Sequence, residues 1–77
     1  MAKYITGDVM AVRNRLKSIR HQHEMNQKEF AQYLGLSAWS YNRYEKQVIQ
    51  PSLEVALAIA ERLKQPVEEI FYRESSE

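Results

Sequence analysis

From Asn26 to Glu45 the chain reads NQKEFAQYLGLSAWSYNRYE, a stretch that leaves few options for the fold because it holds two capped helical segments with almost no chain between them. The side-chain oxygen of Asn26 can accept from the first turn of a helix starting at Gln27, and Glu29, three residues on, can reach back to the Asn26 amide as in a capping box. Phe30, Ala31 and Leu34 recur at helical spacing, and Gly35 supplies the left-handed residue that ends a helix without Cβ strain. Two residues later Ser37 caps the next segment. A connection this short forces the two axes to cross steeply. That is helix-turn-helix geometry, in which the second helix can project from the surface and enter a major groove.

Seventy-seven residues make a single domain, expected over residues 1–77 with a core from 8 to 73 and flexible segments at 1–6 and 74–77. The expected fold is all-α, with five helices. Helix one is expected to begin at Asp8 and to carry Val12, Leu16 and Ile19 inward, with its end near His23 or Glu24 the least defined boundary. After Glu45 the segment KQVIQ is irregular. Pro51 then blocks a continuing helix, and Ser52 caps LEVALAIAERLK, whose Val55, Ala56, Ile59, Ala60 and Leu63 form the main core stripe. Pro66 opens a last short helical turn in which Val67, Ile70 and Phe71 close the core and Glu68 and Glu69 sit favourably near a helix start.

The composition excludes more than it selects. There is no cysteine, so neither a disulfide framework nor a thiolate zinc site is available. No apolar run reaches membrane-spanning length and the first residues lack the apolar core of a signal peptide, from which a cytoplasmic protein is expected. His21 and His23, two apart on a helix, point in different directions and make a poor metal pair, and no nucleophile, metal cluster or phosphate loop suggests an enzyme or a cofactor. Charge is divided along the chain: residues 1–47 carry a balance of +4 and residues 48–77 one of −3, a polarity that suits an oriented approach to polyphosphate.

With these segments in place, the chain resembles the Cro/cI-type repressors, the xenobiotic-response-element (XRE) group of helix-turn-helix regulators with the lambda-repressor-like fold. The resemblance spans roughly residues 9–71 and rests on Arg20, NQKEFAQYLGLS, SYNRYE, PSLEVALAIAERL and PVEEIF taken together. It implies a five-helix domain that binds double-stranded DNA as a homodimer, usually to repress transcription. Carried onto this sequence, it implies that Gln27 binds a phosphate through its amide at a helix N-terminus, with Lys28 adding charge beside it. Ala38, Trp39, Asn42 and Arg43 fall where the family meets base edges or nearby phosphates, and Ser40 where it often contacts the backbone. Arg20 and Glu45 match a pair that joins helices one and three. Glu24 and Gln47 stand where the family usually has glycine, so both turns are built differently or carry strain of roughly 1 kcal/mol or more.

Helix three sorts by spacing into one face with Tyr41, Tyr44 and Glu45 and another with Trp39, Asn42, Arg43 and Lys46. Only the second can read bases, Arg43 through guanine O6 and N7 and Asn42 through an adenine edge or a phosphate. Trp39 either contacts thymine methyls or deoxyribose, or folds back over the turn. Tyr41 and Tyr44 read first as core residues. Ile49, Phe71 and Tyr72 are candidates for a dimer contact, and KYIT near the start can pair as a strand with the segment around Phe71–Arg73. The reading is therefore a dimeric regulator on a palindromic operator with half-sites roughly 34 Å apart. Its rival is an antitoxin or anti-repressor that keeps the fold but turns the face around Trp39 to a protein partner.

Overall fold

The computed structural model describes residues 11–74. In order along the chain come β1 (Val12–Asn14), α1 (Leu16–Gln22), α2 (Gln27–Leu34), α3 (Ala38–Glu45), α4 (Leu53–Leu63), a 3₁₀ turn (Val67–Glu69) and β2 (Phe71–Arg73). The two strands pair antiparallel, with Val12 opposite Arg73, Arg13 opposite Tyr72 and Asn14 opposite Phe71. Glu74 continues the ladder by donating to the Ala11 carbonyl at 2.8 Å.

Two expectations are corrected here. The first helix does not run from Asp8, since residues 12–14 are a strand and α1 opens only at Leu16. Val12 accordingly leaves the core stripe and is exposed, whereas Leu16 and Ile19 are buried. Asn14 makes this break. Its Oδ1 accepts from the Leu16 amide at 3.0 Å, a local side-chain turn that competes with helix extension. The expected fifth helix is likewise only the 3₁₀ turn running into β2. The described residues thus form four α-helices and a two-stranded sheet rather than an all-α bundle of five. Strand β2 does find a partner from the N-terminal side, but it is β1; the KYIT segment lies outside the described residues.

The start signals act as the sequence implies. The Asn26 side chain accepts from the Glu29 amide at 2.8 Å while Glu29 accepts from the Asn26 amide at 2.9 Å, a complete capping box. Ser37 and Ser52 cap α3 and α4 through the amides of Ser40 and Val55. Packed between the helices are Leu16, Ile19, Phe30, Ala31, Leu34, Tyr41, Ile59, Ala60, Leu63 and Ile70, with Phe30 and Tyr41 meeting edge to face at 5.5 Å.

All four helices end in the same way. After α1, Glu24 donates to His21 and Met25 to Arg20; after α2, Gly35 to Gln32 and Leu36 to Ala31; after α3, Gln47 to Tyr44 and Val48 to Arg43; after α4, Lys64 to Glu61 and Gln65 to Ala60. This is the Schellman pairing, which needs a left-handed residue just past the helix. Glycine fills that position once, as Gly35, while Glu24, Gln47 and Lys64 take it at φ of 57°, 65° and 58°. No helix among the described residues is long and apolar enough to cross a membrane.

Candidate nucleic-acid interface

Helix α3 is fastened on its inner side by a polar chain. Arg20 donates to Glu45 through Nε at 2.9 Å and a terminal nitrogen at 3.0 Å, and its other terminal nitrogen holds the Met25 carbonyl at 3.0 Å. Glu45 Oε2 also accepts from Gln27 Nε2 at 3.1 Å, and Gln27 Oε1 in turn accepts from Asn42 Nδ2 at 2.9 Å. One carboxylate therefore ties α1, α2 and α3 together. Burial alone pushes the Glu45 carboxyl up, but the hydrogen bonds and charge of Arg20, with the hydrogen bond from Gln27 and the nearby Tyr41 hydroxyl, outweigh it and bring the group down to about 2. The Tyr41 hydroxyl, buried in the same place, is pushed well above its ordinary value by burial and by the neighbouring carboxylate.

A second polar cluster fixes the far end of α3. Asn14 Nδ2 donates to the Tyr44 carbonyl at 2.9 Å and to Gln50 Oε1 at 2.8 Å. Gln47 pairs with the Asn14 peptide in both directions: it accepts from the Asn14 amide at 3.1 Å and donates to the Asn14 carbonyl at 3.0 Å. Gln50 Nε2 closes the loop on Gln47 Oε1 at 3.0 Å. Sequence reasoning passed over Asn14 and Gln50 and treated Gln47 only as a missing glycine. The available signal was a set of amide side chains, Asn14 inside the predicted helix one and Gln47 and Gln50 after helix three, each with matched donors and acceptors.

The outer side of α3 is left to solvent. Trp39 is 70 % exposed, so it does not fold back over the turn. The Arg43 guanidinium lies 4.7 Å from its ring centroid, the two residues being four apart on one helix face. Among the described residues the Arg43 Nε is buried without a hydrogen-bond partner. Ala38 and Lys46 are exposed at the two ends of α3, and Ser40 is half-buried one turn in. Lys28 is exposed at the start of α2 beside the half-buried Gln27. Asn42 belongs to both sides: it lies next to Arg43, yet its amide is engaged by Gln27.

The remaining candidates fall elsewhere. Ile49 is exposed in the α3–α4 loop, Phe71 packs half-buried against the core, and Tyr72 is covered on one face by the Arg15 guanidinium at 4.2 Å. Tyr41 is a core residue and Tyr44 is partly buried against the core. His21 and His23 are both exposed, and among the described residues no group of three or more His, Cys, Asp or Glu is placed to hold a metal ion.

Comparison with known proteins agrees with this geometry. A helix-turn-helix family profile matches residues 16–70, from the first residue of α1 to the last core residue before β2. An uncharacterized helix-turn-helix-type transcriptional regulator of Methanocaldococcus jannaschii is 35 % identical over 66 residues, which cover 86 % of this chain and all of the relative.

Proposed function

The chain belongs to the XRE-type helix-turn-helix family of DNA-binding transcription regulators, and from that premise we propose that it acts as a dimeric repressor on a palindromic operator, with α3 of each protomer in the major groove. The observation that carries the reading is the division of α3 between a fixed inner side and an outer side left to solvent. The inner side is anchored through Glu45 and Asn14, while Trp39, Lys46 and Ala38 are exposed and the half-buried Arg43 lies against Trp39. A rigidly held helix with one projecting polar and aromatic face is what groove insertion requires.

In this reading the start of α2 takes a backbone phosphate. The Gln27 and Lys28 amides have no intrahelical acceptor, the Glu29 amide being held by Asn26; the helix dipole favours an anion there, and Lys28 adds a full charge. Ser40 and Lys46 take neighbouring phosphates, and base discrimination falls to Trp39, Arg43 and, where it can exchange its bond to Gln27, Asn42. Polymerase is then excluded sterically from an occupied promoter.

The second copy is assigned to an apolar strip beginning just after α3. Val48 and Ile49 in the loop and Leu53 and Leu57 one turn apart on α4 are all exposed, and a two-fold dimer needs one self-complementary patch. This strip adjoins the DNA-facing helix, so pairing through it sets the spacing of the two α3 helices directly. Of the earlier dimer candidates it retains Ile49. Phe71 is engaged with the core and Tyr72 with Arg15.

Selection of bound duplexes from random DNA at two salt concentrations, with wild type and Arg43→Ala, tests the reading. It expects a palindrome with half-sites about one turn, roughly 34 Å, apart, weaker at higher salt and blurred at one base pair by the substitution. No recovered motif, with weak binding indifferent to Arg43, would sink it. The exposure of Trp39 supports the rival assignment to an antitoxin or anti-repressor; a Trp39→Ala variant that keeps DNA binding but loses a protein partner would favour that rival.

A further inference from the structure

We propose that Trp39 and Arg43 act as one composite reader of a two-base step, in which Arg43 recognises a guanine end-on through its two terminal nitrogens and Trp39 covers the C5-methyl of an adjacent thymine. The inference rests on the DNA-binding reading above and assigns the chemistry of its central contact.

Three features of the pair lead to it. The guanidinium carbon lies 4.7 Å from the indole centroid, so one face of the planar cation is already covered before DNA arrives. The Nε is buried with no partner among the described residues, whereas neither terminal nitrogen is a buried atom left without a partner. An arginine can present guanine O6 and N7 either with Nε and one terminal nitrogen or with both terminal nitrogens. In the stacked conformation the protein itself covers the Nε edge that the first mode needs. The second remains, and the stacked ring restricts the side-chain rotation that an isolated arginine would lose on binding.

Trp39 has its own share of the contact. At 70 % exposure it keeps a large apolar surface in water even with the guanidinium against it, an arrangement that pays back only when something apolar covers the ring. On the floor of a major groove the apolar group is the thymine methyl. Because Trp39 and Arg43 are one turn apart and in contact, the methyl and the guanine they meet belong to neighbouring base pairs. Asn42, the other side chain suited to a base edge, is held by Gln27 at 2.9 Å, which leaves the stacked pair as the preformed reader on α3.

The test uses the duplex recovered by wild-type selection, resynthesised with single-atom changes. Replacing the Arg43-dependent guanine by 7-deazaguanine removes N7, and replacing the neighbouring thymine by uracil removes only the methyl. For the wild type the first change is expected to weaken binding at least about fivefold and the second about fourfold. Trp39→Ala is expected to abolish the uracil penalty and to reduce the 7-deazaguanine penalty severalfold, while Trp39→Phe keeps part of both; Arg43→Ala abolishes the guanine penalty. Trp39 is largely outside the core, and unchanged thermal unfolding of Trp39→Ala confirms that the effects are local. Penalties for both modified bases that stay at wild-type size in Trp39→Ala, while Arg43→Ala still removes the guanine penalty, would overturn the composite reader and leave the regulator reading intact. Failure of the wild type to select any motif would overturn both.

Discussion

Glu45 is a buried anion whose partners come from two other helices, and its removal should be felt well beyond α3. Replacing it by alanine leaves the Arg20 guanidinium, with 13 % of its side chain exposed, without its counter-charge and frees Gln27 and Asn42 from their fixed positions. A loss of about 3–5 kcal/mol is expected, measured as a shift of the chemical-denaturation midpoint at neutral pH. The same group sets an acid limit. Its carboxyl is at about 2 in the folded protein against an ordinary value of 4.5, so its contribution is complete above pH 4.5 and is lost as the pH falls from there through 2. The shift corresponds to about 3 kcal/mol. Stability measured between pH 5 and 2 should therefore fall for the wild type, and Glu45→Gln should lack that part of the slope. The pair itself was legible in the sequence because Arg20 and Glu45 each sit at a position the family resemblance marks. The extension through Gln27 to Asn42 was not, since hydrogen bonds between amide side chains leave no periodic trace.

Helix ends carry the next layer of information. Four Schellman motifs with a single glycine mean that three side chains hold a left-handed backbone costing roughly 1 kcal/mol each. Glu24 and Lys64 are exposed at those positions, so Glu24→Gly and Lys64→Gly should each raise stability by about 0.5–1 kcal/mol, the relief of strain being partly offset by the freer unfolded chain. Gln47→Gly relieves the same strain but removes the two hydrogen bonds by which the side chain holds the Asn14 peptide of β1, and a third from Gln50, and should lower stability by about 1 kcal/mol or more. Equilibrium unfolding of the three variants separates these signs; stabilisation by all three would mean that the Asn14–Gln47 network contributes nothing. The family resemblance marked Glu24 and Gln47 as positions where glycine usually stands, although the end of helix one stayed the least defined boundary, and Lys64 was missed because Pro66 offered a sufficient stop. Sequence reasoning misplaced the start of α1 because Val12, Leu16 and Ile19 fit a helical period while the competing side-chain turn at Asn14 has no period at all. The pairing of β1 with β2 joins residues about sixty positions apart, a contact that local pattern cannot supply.

At the scale of the whole molecule, charge and apolar exposure mark different residues, which the proposed reading gives to DNA and to a second copy. The basic balance of residues 1–47 includes Lys28, Arg43 and Lys46 around α3, and phosphate contacts made there should give a linear fall of log affinity with log salt whose slope flattens by about 0.9 when Lys28 is replaced by alanine. The apolar strip bears on a different quantity. Leu53 is 72 % and Leu57 50 % exposed, so converting both to glutamate removes little core packing and should leave the unfolding temperature of the protomer nearly unchanged. If the strip joins two copies, the double variant should sediment as a monomer at concentrations where the wild type is dimeric. Its apparent affinity for a two-half-site duplex should fall about 10²–10⁴-fold, because the second half-site is no longer bound at high effective concentration. Its affinity for an isolated half-site should be unchanged, since neither leucine belongs to the projecting face of α3. A variant that remains dimeric and keeps its affinity would move the contact away from α4, to the β1–β2 sheet, whose opposite faces carry Val12 and Tyr72. That geometry would place the two α3 helices through the sheet rather than through the α3–α4 loop, and the half-site spacing recovered by selection would reveal the difference independently.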